Sequence, residues 1–243
     1  MATLYYLKEK EKRWQDPQYN IVALVQSCPQ QEPLKTGYLA ELLQLSADLP
    51  SNLYAFDLEE GERRLLRSPL IKTAALKRIP PGTLYVHYQV RTPLAYIGEL
   101  TNTAVDEEGV LFPFTPFFTP KKLPKLWFGF ELDRLKWGNH INREQAFQLV
   151  TEILEQIKSV ENSSLAVRQI DVSHAFSQNR GKREIVLKVE TSVNQEEARS
   201  VYLRLDPHAY LQNLADWQTL QKRKLKPEFE IVDLRVPHIG LVK

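Results

Sequence analysis

The sequence predicts an α+β fold, with helices packed on one face of a sheet. Three features carry that prediction. Leu84, Val86, Tyr88 and Val90 alternate with Tyr85, His87, Gln89 and Arg91, the period of two that marks a strand with one buried face. Phe147, Val150, Ile153, Leu154 and Ile157 recur at the spacing of a single helical stripe. Pro80-Pro81-Gly82 then separates two β-rich runs, with proline fixing φ and glycine tolerating φ > 0. The chain has 243 residues, enough for one or two domains at a prior of about 150 residues each.

In chain order, residues 1–18 read as a polar lead, with Lys8, Lys10, Lys12 and Arg13 interleaved with Glu9 and Glu11. Tyr19 to Gln26 is a short β-rich run and predicts a strand. Leu39, Leu42 and Leu43 place a helix over Thr36 to Leu45. Asp57 and Glu60 form the Asp-x-x-Glu pattern of a capping box, opening a second helix with Leu58, Leu65 and Leu66 toward the core. Ser68-Pro69 ends it, because the residue before proline is pushed out of the α region. Strands follow at Ile71 to Ile79 and Thr83 to Arg91.

Beyond Pro93, Asp106-Glu107-Glu108-Gly109 reads as a turn between short apolar segments. Pro113, Pro116, Pro120 and Pro124 make an irregular connection, and Trp127 to Leu135 predicts a strand. Asn142 and Gln145 are read as the N-cap and its third-position partner for the Phe147–Ile157 stripe. Strands are predicted at Leu165 to Ala175, Glu184 to Thr191 and Ser200 to Leu205. Asp206-Pro207 opens a helix to about Leu220, with Tyr210, Leu211, Leu214 and Trp217 on its apolar side. Phe229 to Val236 is the final predicted strand.

Composition removes several functional classes. A net charge of +2, from 32 Lys+Arg against 30 Asp+Glu, gives no general drive toward nucleic acid or anionic lipid. The basic run Lys222, Arg223, Lys224 and Lys226 reads as a solvated helix end. The single cysteine, Cys28, supports neither an intramolecular disulfide nor a cysteine-based zinc site. His87, His140, His174, His208 and His238 are scattered singly, without metal-ligand spacing. No phosphate-cradling glycine motif and no nucleophile elbow occurs. The expectation is a protein with no catalytic residue, no metal, no cofactor and no small-molecule substrate. No stretch approaches about 18 consecutive apolar residues, so the chain as given reads as soluble and without an export signal.

The segment Ser68 to Leu84 resembles the signature of a POTRA domain, in the version carried by the FtsQ/DivIB family of bacterial cell-division proteins. The matching positions are Ser68-Pro69, Ala74, Arg78, Pro81 and Thr83-Leu84, followed by the tail Arg91-Thr92-Pro93-Leu94-Ala95. Val105 to Pro113 resembles that family's Asp-x-x-Gly-x-x-Phe hairpin, and Val232-Asp233-Leu234-Arg235 its Val-Asp-Leu-Arg strand. The chain departs from the pattern at Ser27-Cys28-Pro29, at Val236 where the family has tyrosine, and in the proline-rich piece Pro113 to Pro124.

The resemblance implies a polar lead (1–18), a β-α-α-β-β POTRA-like domain (19–98) and a larger mixed β domain with flanking helices (99–243), ending in a partner-binding strand. It implies a non-enzymatic divisome scaffold, linking early division proteins to a coiled-coil pair of the FtsB/FtsL type and to the septal peptidoglycan synthase. The place implied is the division septum, on the outer side of the bacterial inner membrane. The single membrane helix of the family lies outside these residues, and the expectation is an anchor removed. The implied mode is strand addition to an open sheet edge. The expected docking residues are Ile231, Val232, Asp233, Leu234, Arg235 and Val236, with Gly240 and Leu241 after them, and Arg235 facing an acidic partner group. The other readings are a POTRA-type module of an outer-membrane assembly or secretion system, and a soluble α+β enzyme.

Overall fold

A computed structural model describes residues 13–129, 136–159, 166–193, 197–222, 229–236 and 239–242. It is a mixed α+β structure with two sheets. The chain forms two compact units: Met1–Thr92 with Thr115–Thr119, and Pro93–Phe114 with Pro120–Lys243.

The first unit runs β1 (Ala23–Ser27), α1 (Thr36–Leu42), α2 (Leu58–Leu66), β2 (Ile71–Ile79) and β3 (Thr83–Val90). β3 is the centre of the sheet, parallel to β1 and antiparallel to β2. The Pro80–Gly82 turn closes the β2–β3 hairpin, and the Gly82 carbonyl accepts from the Val22 amide at 2.9 Å. The alternation read in β3 is realised: Leu84, Val86, Tyr88 and Val90 are buried, with Leu39 of α1, Leu65 of α2 and Leu76 of β2. Leu66, by contrast, is 47% exposed, because the next helical position turns away from the core.

Asp57 caps α2 by accepting from the Glu60 amide at 3.1 Å. The Glu60 carboxylate pairs instead with Arg63 and Arg64, at 3.0 and 3.2 Å. Gly61 lets α2 lie close on β2: a Cβ there would meet Leu76 Cδ1 at 2.6 Å and the Phe56 ring at 2.9 Å. The signature Arg78 has a structural task. Its guanidinium donates to the carbonyls of Leu53 (2.8 Å) and Phe56 (2.7 Å), tying the loop before α2 to the sheet. Tyr88 is fully buried, its hydroxyl accepting from the Leu34 amide (2.8 Å) and donating to Gln26 (2.7 Å). The segment Thr115–Thr119 completes this unit, with Phe117 against Tyr38 at 5.1 Å and the Thr119 amide and hydroxyl both donating to Glu32.

The second unit is built on a nine-stranded sheet. Its elements are β4 (Ala95–Ile97), β5 (Thr103–Val105), β6 (Leu111–Pro113), β7 (Lys125–Trp127), α3 (Glu144–Ser159), β8 (Ala166–Asp171), β9 (Ile185–Val193), β10 (Glu197–Leu205), α4 (Tyr210–Lys222), β11 (Ile231–Val236) and β12 (Ile239–Val242). In space the order is β12-β11-β10-β9-β8-β7-β4-β5-β6. β7 and β8 run parallel and are joined through α3; β10 and β11 run parallel and are joined through α4. Parallel neighbours need a long crossover, usually a helix, and these two pairs have one. Both helices pack on the same buried residues, Leu149, Val150, Ile153, Leu214 and Trp217 meeting Leu126, Ile170, Leu187, Val189, Val201, Leu203, Val232 and Leu234 in one core.

Several sequence expectations are corrected here. The strand placed over Trp127 to Leu135 is β7, Lys125–Trp127, and residues 130–135 lie outside the described residues. α3 begins at Glu144, and the Phe147 amide donates to the Arg143 carbonyl, so Asn142 is one residue too early for the cap. Leu211 is 52% exposed, and the residues of α4 described as buried are Leu214 and Trp217, with the polar Asn213 beside them. Phe229 to Val236 is not the last strand: β11 starts at Ile231, and β12 follows it. The polar lead up to Lys12, the cations Arg223, Lys224 and Lys226, His238 and the start of the Leu165 strand also lie outside the described residues.

Candidate functional site

β11 has a neighbour on each side, β10 in parallel register (Leu203↔Val232, Arg204↔Asp233) and β12 in antiparallel register (Val232↔Val242, Asp233↔Leu241). It is therefore an interior strand, and the expectation that it forms the sheet edge is corrected: Ile239–Val242 adds one more strand outside it. Val232 (3% exposed) and Leu234 (4%) point into the core, so they serve packing. Ile231, Asp233 and Arg235 lie on the opposite face of the strand, and Val236 at its end is exposed. Gly240 and Leu241 belong to β12.

The two ends of the large sheet differ. At β6 the chain seals the edge itself. The Leu111 amide donates to the Asn139 carbonyl (3.0 Å), and the Gly138 amide donates to the Leu111 carbonyl (2.7 Å). The Ile141 amide donates to the Gly109 carbonyl (2.9 Å) beside a Val110–His140 bridge. At β12, among the described residues, no further strand pairs on the outer side. An uncovered strand edge presents amides and carbonyls ready for another chain. In the small sheet, the edge strand β2 has its Leu76 amide taken by Glu62 of α2 at 2.8 Å.

A closed ring of four charges lies on β10, on β11 and at the residue before β9. Arg204 on β10 reaches Glu184 at 2.6 Å and Asp233 at 3.2 Å. Arg235 grips Asp233 with two nitrogens, Nε at 2.9 Å and Nη2 at 2.7 Å, and approaches Glu184 at 3.6 Å. Positive and negative groups alternate around the ring, and their sum is zero. The Arg235 side-chain hydrogen bonds hold the Asp233 carboxyl below the usual carboxylate range against the opposing effect of burial, and Arg204 adds to the lowering. Asp233, followed by Glu184 and Asp206, pushes Arg235 up. Arg235 is thus engaged within the chain, where the sequence reading expected it to face a partner.

The ladder between β11 and β12 shifts register between Asp233 and Val236. Three residue steps on β11 oppose two on β12, the signature of a bulge on β11. Asp233 Oδ1 accepts the Arg235 backbone amide at 3.2 Å inside this bulge. One carboxylate therefore holds both the backbone and the side chain of Arg235.

Among the described residues no group of three or more His, Cys, Asp or Glu side chains is placed to hold a metal ion. Asp106 is buried in its turn, accepting from the Glu108 and Val110 amides at 3.0 and 2.9 Å, with Gly109 at φ +80°. Cys28 donates to Gln30 at 3.1 Å. Among the described residues no helix is long and apolar enough to cross a membrane.

Sequence reasoning missed Glu184 and Arg204. Nothing local marks them, because their pairing with β11 depends on the spatial order of strands far apart in the chain. β12 did leave a signal: Ile239-Gly240-Leu241-Val242 is a short apolar run two residues after Pro237, long enough for an edge strand. No protein-family model matches the chain, and no curated protein sequence matches it.

Proposed function

We propose that this protein is a non-enzymatic binding scaffold that captures a partner strand on the outer edge of β12. The observation that carries this reading is the asymmetry of the large sheet. Residues 138–141 close its β6 end, while β12 ends the other with no further strand beside it among the described residues. Main-chain hydrogen bonds along Ile239–Val242 supply affinity, and alternate side chains supply selectivity. Val236 and Ile231, exposed on the neighbouring strand, lie within the same docking region.

The biological assignment follows the resemblance. The β-α-α-β-β order of the first unit supports a POTRA reading. The Val232–Arg235 strand beside β12, the last strand of the sheet among the described residues, supports membership in the FtsQ/DivIB group. On that reading the partner is an FtsB/FtsL-type coiled-coil pair, and the protein works at the division septum outside the cytoplasmic membrane as a link to the septal synthase.

Proline scanning of the edge tests the proposal. Successive residues of a strand direct their amides to alternate sides, so one of Gly240→Pro and Leu241→Pro removes an outward donor. Pull-down of the FtsB/FtsL-type pair is expected to fall at least with that variant. Retention of binding by both prolines overturns the docking assignment.

A further inference from the structure

The four charges are placed to set the geometry of β11 and, through it, of its neighbour β12. Three facts stand together. The β10–β11 ladder is short, with aligned partners only from Tyr202↔Ile231 to Arg204↔Asp233. The ring crosses that join, with Glu184 just before β9, Arg204 on β10 and Asp233 and Arg235 on β11. The same Asp233 carboxylate accepts the backbone amide inside the bulge that offsets β12.

We infer that the Glu184–Arg204–Asp233–Arg235 ring is a positioning device that fixes the register of the β11–β12 hairpin and so holds the docking edge in its binding geometry. This rests on the reading of β12 as the docking edge. Glu184 and Arg204 act through Asp233 and Arg235 and need no contact with a partner.

The physical argument is one of specificity of arrangement. Burial of Val232 and Leu234 on one face disfavours a one-residue slip, but the short β10–β11 ladder gives little against a two-residue slip that keeps them buried. A ring of alternating charge satisfies every member in one register only. A shift by one residue turns Asp233 and Arg235 toward the core, where the charges would be desolvated without partners. The side chains of the ring are 15–35% exposed, so their mutual attraction is only partly screened by water.

Amide hydrogen exchange on the full chain tests this without any ligand. Arg204→Met keeps an apolar stem but removes the charge that joins Glu184 to Asp233. Exchange at Leu234–Val236 and Ile239–Val242 is expected to speed up by roughly tenfold, while the β8–β9 amides keep the wild-type rate. Glu184→Gln, milder in volume, is expected to act in the same direction, and Arg204→Lys to recover part of the protection. A role in general stability alone would raise exchange across β8 and β9 as well and would overturn the inference. Unchanged exchange in β12 in both Arg204→Met and Glu184→Gln overturns it too. Faster β12 exchange, combined with wild-type protein that never captures a partner strand, would overturn the docking reading and leave the ring as the lock of the hairpin register.

Discussion

Tyr88, Arg78 and Asp233 each join a side chain to backbone it would otherwise not meet. Tyr88 is buried with its hydroxyl bonded to the Leu34 amide and Gln26, and burial pushes its pKa up to about 12. Tyr88→Phe leaves the Leu34 amide without this acceptor and is expected to cost about 1–3 kcal/mol in denaturant unfolding. The wild-type protein is also expected to lose stability from about pH 10, the unfolded tyrosine range, up to about pH 12, and Tyr88→Phe to show a shallower decline, since burial and Glu152 also raise Tyr210. For Asp233 the sign is opposite. Its folded pKa is lowered by Arg235 and Arg204, with Glu184 as the other acid of the ring. The stabilisation is therefore fully present above the ordinary carboxylate range of about 4, and is lost as pH falls through the lower folded value. Asp233→Asn is expected to flatten that part of the acid limb, read from urea midpoints between pH 7 and 2. Arg78 was visible in the sequence as a motif residue, but its use was not: only the folded chain brings Leu53 and Phe56 to it.

At the level of elements, periodicity predicted what depends on one face of one segment. β3 is the clearest case, since its buried residues are the very ones that alternate in sequence. α2 opens where Asp57 predicts it, because an N-cap is a local hydrogen bond. The α3 start was misread because Asn142 competes with Arg143 for the cap position, and a shift of one residue is beyond a pattern of caps alone. Close approaches between elements were hidden altogether. Gly61 is an unremarkable helical glycine in the sequence, yet it faces Leu76 and Phe56 with no room for a methyl group. Gly61→Ala is expected to destabilise the first unit by about 1–3 kcal/mol through overpacking, offset by roughly 1 kcal/mol of helix propensity; thermal unfolding measures the balance.

Across the whole molecule, the strands themselves were largely legible and their neighbours were not. Glu184–Thr191, Ser200–Leu205 and the Val232–Arg235 motif read as strands, but a nine-stranded order in which β7 lies between β8 and β4 cannot be taken from local pattern. The candidate site suffered most from this. Its motif was found, while β12, Glu184 and Arg204 depend on how distant strands line up. Among the described residues the sheet has a deep middle and no strand beyond β12, and stability should follow. Leu187 is fully buried in β9, so Leu187→Ala is expected to cost about 2–5 kcal/mol in urea unfolding. Native-state exchange should grade from slow in β9 and β10 to fast in β12.

We propose that a partner strand docks on β12. Amide hydrogen exchange of the full chain, alone and with an FtsB/FtsL-type coiled-coil pair, tests it most directly. The prediction is new protection concentrated at Ile239–Val242, with little change at β6, whose edge residues 138–141 already cover. Binding of the pair with no added protection in β12 would contradict it.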